Sequence, residues 1–255
     1  MVSLTLLRVE RIKLFSTRSP WWCLAIATTA TIGLSLLVAA TVTKDDLSTF
    51  TPASTQFAGK FGSIIMMVMA VMSVTTEYRF STIRVTFLAF PRRTDALLAK
   101  AAVVAGLAGL AGEIAAIGSW AASVLLRPDA PLALRYARDF RIVLGSGLVY
   151  AIAAVIAVAA GLLIRHSAGA IATVVIWNLL LEDLLPVIPR IGSHVQHWLP
   201  FTAATNFLYD GQPLGTDAAL EEHMPLGPWG SLAYFAAFAA ALLAVGIIVA
   251  RRRDA

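Results

Sequence analysis

The chain has 255 residues, of which 58% are hydrophobic and 14% charged, with a mean hydropathy of +0.78. A soluble globular domain has about 45–50% apolar residues, so this composition excludes that class. The formal net charge is +5. Nucleic-acid-binding surfaces combine basic residues with interspersed aromatic residues, and the sequence shows no such pattern. We therefore attribute the positive charge to membrane topology and to contact with anionic lipids. The single cysteine, Cys23, excludes an intramolecular disulfide and any CxxC motif.

Long apolar stretches predict an all-α, multi-pass membrane protein that forms one domain over residues 1–255. A membrane span needs roughly 18 or more apolar residues without charges. Six stretches meet or approach this length: 21–42, 61–76, 101–126, 143–164, 168–181 and 229–250. The second and fifth are short, and we expect the second to extend back over 56–60 and the fifth to continue through Glu182 and Asp183. The first is longer than the h-region of a signal peptide, about 7–15 residues, so we expect it to remain as an anchor.

The N-terminal region, 1–19, mixes apolar residues with charges such as Arg8, Arg11 and Lys13, which suggests a helix lying at the membrane surface. Most Lys and Arg residues flank the spans on the side of both termini. The positive-inside rule therefore predicts that both termini are cytoplasmic, in a bacterial inner membrane. The loop 127–142 opposes this bias with four arginines, which leaves its side open.

Four methionines, Met66, Met67, Met69 and Met72, lie in the second span. Methionine fills irregular gaps in a core. The same softness suits an adaptable wall for apolar ligands, so both interpretations stay open. Met66 and Met69 are candidates for a translocation pathway.

The connection between the second and third spans reads TTEYRFSTIRVTFLAFPRRTDALLAK, residues 75–100. Ile83, Phe87 and Phe90 recur at helical spacing and predict one apolar face, which Pro91 ends. Such a helix can insert aromatic side chains into a groove of a soluble partner while its arginines meet carboxylates. The alternative is a membrane-surface loop that merely follows the positive-inside rule.

The third span carries small residues four apart, such as Ala105/Gly109 and Ala108/Gly112, which predict a close helix–helix contact. Glu113 lies in the same region. An ionisable residue inside a membrane is costly and is a functional candidate by default. A hydrogen-bonded structural carboxyl, selection of a cationic substrate and proton handling all remain possible for it.

Beyond the fifth span, prolines break any long helix within 182–228, so we expect short or re-entrant helices there. Asn178 and Glu182 are further pathway or interhelical candidates. His194 and His197 are too few ligands for a metal site, and no metal is predicted.

The joint order of these features resembles the permease subunits of type-2 ABC exporters. The resemblance covers nearly the whole chain and includes E-Y-R-x-x-T-I-R at 77–84, P-R-R at 91–93, and Trp177, Glu182 and L-P-F at 199–201 beyond the fifth span. It implies an elbow helix within 1–19 and a cytoplasmic coupling helix within 77–93 that docks on an ATPase. The implied ATPase-coupling residues are Glu77, Tyr78, Arg79, Thr82, Ile83, Arg84, Phe87, Arg92 and Arg93. Residues 182–228 would cap the translocation path on the outer side.

The chain contains no G-x-x-x-x-G-K-[ST] motif and no G-x-S-x-G elbow, so no enzyme activity and no bound cofactor is expected of it. The resemblance implies that a separate ATPase subunit binds ATP and magnesium and that a second permease copy, identical or related, completes the path. The exported substrate would be amphipathic or hydrophobic, either drug-like or lipid-like. The alternative is a stand-alone ion-coupled transporter with Glu113 as proton carrier, although such transporters commonly show internal repeats, which we do not find.

Overall fold

The computed structural model describes residues 4–89, 92–185, 195–196, 198–210 and 226–253, and this part of the chain is helical without β-strands. The helices are α1 Leu4–Phe15, α2 Ser19–Thr41, α3 Gly59–Arg79, α4 Thr82–Ala89, α5 Arg93–Leu126, α6 Ala137–Leu144, α7 Ser146–Ile164, α8 Ser167–Ile176, α9 Glu182–Leu184, α10 Pro200–Tyr209 and α11 Pro228–Arg253. A π-helical turn, Trp177–Leu181, joins α8 to α9. Short 3-10 turns, Leu47–Thr49 and Ser54–Gln56, lie before α3.

Five helical segments of the described chain are long and apolar enough to cross a membrane, and they correspond to the first, second, third, fourth and sixth predicted spans. The second reaches back to Ser54, as expected from its short apolar core. The third begins at Arg93 and has 34 residues. At about 1.5 Å per residue it is longer than a hydrocarbon core of about 30 Å.

The predicted fourth span starts later than expected. A break at Gly145 separates amphipathic α6 from α7, so the long apolar helix begins at Ser146 rather than at 143. A Cβ at position 145 would meet the Arg141 carbonyl oxygen and the Phe207 ring. Glycine thus permits the close approach of α10 at this joint.

The fifth predicted span is not among the five long helices, because its apolar helix covers only Ser167–Leu181. It nevertheless runs antiparallel to α3. The Ser167 hydroxyl donates a hydrogen bond to the Thr75 hydroxyl at 2.8 Å, and the Asn178 amide approaches the Met67 sulfur at 3.9 Å. The segment therefore runs along α3 from Thr75 to Met67 before it ends in α9.

Alanine and glycine let α7 occupy the centre of the bundle, where it packs against α3, α5 and α11. The predicted close contact of the third span is confirmed: a Cβ on Gly109 would lie 3.2 Å from the Gly147 carbonyl oxygen, and one on Gly112 would overlap the Tyr150 ring. Large apolar side chains face outward on α2, α5 and α11. This pattern suits contact with lipid.

Two arginines near the end of the bundle opposite α1 have local structural partners. The Arg127 guanidinium donates to the carbonyl oxygens of Ala39, Ala40 and Val42 at 2.8–2.9 Å and so satisfies the last turn of α2. Arg141 of α6 lies 3.3 Å from the Asp210 carboxylate after α10. Both arginines belong to the region 127–142, whose four arginines oppose the positive-inside bias. Contacts within the protein therefore give two of these four arginines a structural role.

Candidate functional site

Four charged side chains from three helices meet at one end of the bundle. They are Glu10 and Lys13 of α1, Glu77 of α3 and Lys100 of α5, and we call them the ionic cluster. The Lys100 ammonium lies 2.6 Å from Glu10 Oε2 and 2.8 Å from Glu77 Oε1. The Lys13 ammonium lies 2.8 Å from Glu10 Oε1 and 3.4 Å from Glu77 Oε1. The cluster joins segments up to 90 residues apart in the chain.

The ionic cluster is largely withdrawn from water. Only 7% of the Lys100 side chain and 3% of the Glu10 side chain are exposed. Burial alone would raise the pKa of Glu10, but the two nearby ammonium groups outweigh it and hold the pKa below its ordinary value. Two positive and two negative charges balance, and this balance makes their burial tolerable.

The helix predicted between the second and third spans is present as α4, and it packs against the ionic cluster. Ile83 is buried, and the Thr86 hydroxyl lies 2.9 Å from the Lys13 ammonium. Of the three residues of the expected apolar face, Ile83 is the one whose side chain the structure describes. The side chains of Arg84 and Phe87, and the whole of Phe90 and Pro91, lie outside the described residues.

The remaining predicted coupling residues have different surroundings. Glu77 points inward to the ionic cluster, whereas Arg79 and Thr82 are exposed and Arg79 stacks over the Phe80 ring at 5.5 Å. Arg92 is exposed directly before α5, and Arg93 is the first residue of that helix.

The end of α3 also contacts the end of α7. Arg165 ends α7 with a φ of 59°, and its guanidinium lies 4.7 Å from the centre of the Tyr78 ring. Such a cation–π contact contributes about 0.5–2 kcal/mol, depending on its solvent exposure. Glu77 and Tyr78 therefore connect the end of α3 to α1, α5 and α7.

A cavity of about 690 Å³ lies beside the ionic cluster, between α1, the start of α2, α3, α4 and α5. Its walls are mainly apolar and include Leu14, Met69, Met72, Val103 and Val104. The four charged residues of the ionic cluster and Thr86 line its polar part. Of the two methionines predicted for a pathway, Met69 contacts this cavity, whereas Met66 is fully buried in the helix core.

Glu113 and Glu182 each accept hydrogen bonds at the start of a helix. Glu113 Oε2 accepts from the Gly147 amide at 3.1 Å, in the first turn of α7. Glu182 accepts from the Phe201 and Thr202 amides at 3.1 and 2.7 Å and from the Trp177 indole at 3.0 Å, so it caps α10. A carboxylate at a helix N-terminus is stabilising. Helix capping therefore gives both residues a structural role.

Asn178 lies in the π-helical turn and is only 3% exposed. Its Oδ1 has no hydrogen-bond partner among the described residues. Single π-helical turns inside α-helices are frequent at functional sites. This residue belongs to the helix interface with α3 rather than to the cavity beside the ionic cluster.

Sequence analysis did not identify Glu10, Lys13 and Lys100 as partners of Glu77. The available signal was a Glu–Lys pair three residues apart on a helix that also carries Arg8 and Arg11, and a lysine just before a long apolar stretch. Within the described residues, no group of three or more His, Cys, Asp and Glu side chains is placed to hold a metal ion. His194 and His197 lie outside those residues.

No protein-family model matches the chain. No curated protein matches it either.

Proposed function

We propose that the chain is the transmembrane subunit of an ATP-driven exporter of the type-2 ABC class. A separate ATPase subunit would dock on the segment 77–93 and bind ATP and magnesium. A second permease copy would complete the translocation path for an amphipathic or hydrophobic substrate. The proposal starts from the sequence resemblance, and one structural observation supports it further.

That observation is the attachment of α4 to the helix bundle. Thr86 of α4 contacts Lys13 of α1, and Lys13 contacts Glu77 at the end of α3. Glu77 in turn contacts Lys100 of α5. A force applied to α4 would thus be transmitted to two long helices, as coupling to an ATPase requires. A loosely attached surface loop would absorb such a force.

The surface next to this attachment offers groups for a soluble partner. Leu88 of α4 is 83% exposed, and Arg79 and Phe80, just before α4, are exposed as well. In the proposed complex, the apolar side chains enter a groove of the ATPase and the arginines meet its carboxylates. Closure of two ATPase subunits around ATP would then change the exposure of the path between two permease copies.

The proposed topology has six spans, with the segment from α8 to α9 as the fifth crossing. Its antiparallel course along α3 supports this interpretation despite its short apolar length. In the proposed topology, both termini lie on the cytoplasmic side of a bacterial cell membrane. Arg79, Arg165 and the triplet 251–253 would share that side, in keeping with the positive-inside rule. Exposed Leu4 and Ile12 of α1 would face the membrane interface as an elbow.

Co-expression with the product of any ATPase gene that adjoins this chain's gene tests the docking surface. We expect the two proteins to co-purify and to hydrolyse ATP, and we expect Leu88→Gln to weaken both the association and the hydrolysis. The matched control is Leu125→Gln, at the far end of α5, where the leucine is 84% exposed. Equal association of both variants with the ATPase would contradict docking at α4.

Charge reversal in the ionic cluster tests transmission rather than docking. Glu77→Lys places three ammonium groups around one carboxylate, so we expect ATP hydrolysis to lose its stimulation by substrate while Leu88 still holds the ATPase. A chain that purifies alone and transports down a proton gradient would instead favour Glu113 as the centre of the mechanism.

A further inference from the structure

The cavity beside the ionic cluster has the size and composition of a ligand site. Small-molecule sites typically measure about 300–1,000 Å³ and are mostly apolar, with a few polar groups that fix orientation. This cavity measures about 690 Å³, and apolar side chains of α1, α3 and α5 form most of its wall. The coupling role proposed above uses the charged residues but leaves the cavity itself without a function.

One hydrogen-bond acceptor in the ionic cluster is left for a ligand. Lys13 contacts three oxygens, and both Glu10 oxygens are occupied by the two lysines. Glu77 Oε1 accepts from both lysines as well. Glu77 Oε2 has no hydrogen bond to any described residue, and Glu77 lines the cavity with 13% of its side chain exposed.

The charge balance of the ionic cluster determines which kind of ligand head group can bind to Glu77 Oε2. The ionic cluster already holds two positive and two negative charges in a site of limited water access. An ammonium head would be repelled by the two lysines, and an anionic head by the two carboxylates. Either would add an uncompensated charge to a largely buried site, which is costly. An uncharged hydroxyl can donate to Glu77 Oε2 without disturbing the balance.

We infer that this cavity binds an uncharged, single-chain amphiphile whose hydroxyl head donates a hydrogen bond to Glu77. The apolar chain lies against Met69, Met72 and Val103. Such a molecule reaches the site either from the bilayer, as a long-chain monoacylglycerol, or from water, as a short-chain glycerol ether. The inference depends on the cavity and the ionic cluster, and it holds whether or not an ATPase docks at α4.

Photolabelling in lipid nanodiscs tests the site. The probe is a monoacylglycerol with a diazirine in its acyl chain, added to the full-length protein in phosphatidylcholine nanodiscs. We expect labelled peptides that contain Met69, Met72 or Val103. An excess of unlabelled monoacylglycerol should abolish this labelling, whereas dodecyltrimethylammonium or dodecanesulfonate should compete about tenfold less well, a difference of about 1.4 kcal/mol.

Two variants separate specific binding from general contact with lipid. Val103→Trp fills the cavity and is expected to lower labelling about tenfold. Leu110→Trp places the same side chain at a position on α5 that is exposed to lipid, and it should leave labelling unchanged.

Glu77→Gln removes one negative charge from the ionic cluster. We therefore expect dodecanesulfonate to become an effective competitor in that variant.

The source of the ligand follows from the competitors. Competition by octyl glycerol ether supplied in water indicates a soluble ligand, and competition only by long-chain monoacylglycerol indicates a lipid. Either result supports the site. Labelling spread over the outer faces of α2 and α11, or unaffected by Val103→Trp, would overturn the inference, as would equal competition by charged and uncharged amphiphiles in the unmodified protein.

Discussion

At the residue scale, Lys100 is the side chain on which the ionic cluster most depends. Its ammonium is nearly inaccessible to water and contacts one carboxylate from α1 and one from α3. Loss of one partner from a buried charge pair costs about 3–5 kcal/mol, because the remaining charge stays buried without compensation. Replacement of a whole pair by apolar residues costs far less and is often neutral.

Lys100→Met is therefore expected to lower the free energy of unfolding by about 3–5 kcal/mol. Glu10→Leu combined with Lys100→Met removes one positive and one negative charge and should recover most of this loss. Thermal unfolding of the purified variants in one detergent measures the difference. Additive losses in the double variant would show that the two residues do not act as a pair.

The helices could be predicted from the sequence, whereas the contacts of the ionic cluster could not. Apolar length alone identified the five helices that are long enough to cross a membrane, and the spacing of Ile83 with its neighbours identified α4. The pairing of Glu10 with Lys100 could not be read from the sequence, because it joins two helices through tertiary packing. In the sequence, the charged residues of α1 are equally consistent with an exposed helix at the membrane surface.

At the scale of elements, two helices begin on a carboxylate supplied by another helix. The sequence singled out Glu113 because a charge in an apolar stretch is costly, and it gave Glu182 as a further pathway or interhelical candidate. It could not show that backbone amides of α7 and α10 satisfy them. The break at Gly145 was equally hidden, because 143–164 is continuously apolar apart from small residues.

Glu182 provides the test of this capping role. Hydrogen bonds to a charged group contribute about 1.5–3 kcal/mol, so Glu182→Ala should lower the free energy of unfolding by about 2 kcal/mol. Glu182→Gln retains an acceptor oxygen and should lose less. The measurement is thermal unfolding together with transport by the reconstituted complex. Transport lost at unchanged stability would identify Glu182 as a pathway residue instead.

At the scale of the whole molecule, hydropathy alone leaves the topology open, and the contacts of α8 with α3 and of α10 with α11 bear on it. Residues 167–184 connect the end of α7 to the region of α10, which packs against the start of α11. If this segment crosses the membrane, the ends of α7 and α11 lie on the same side. The number of membrane crossings therefore depends on the fifth predicted span, which is the shortest of the six.

The single native cysteine makes this topology easy to test. In a Cys23→Ser background, we introduce one cysteine at a time in place of Arg252 or Leu4, and Asp45 serves as the control on the opposite side. A membrane-impermeant maleimide added outside intact cells should label the Asp45 position and neither terminus. Labelling at Arg252 but not at Leu4 would indicate five crossings and would contradict the proposed arrangement.

The ionic cluster also has a consequence for biogenesis. Glu10 and Lys13 leave the ribosome long before Glu77 and Lys100, because synthesis proceeds from the N-terminus. Until the start of α5 has emerged, the two α1 charges lack their buried partners and must remain hydrated at the membrane surface. Final docking of α1 therefore waits for α5, and an intermediate truncated before Lys100 should keep α1 open to protease.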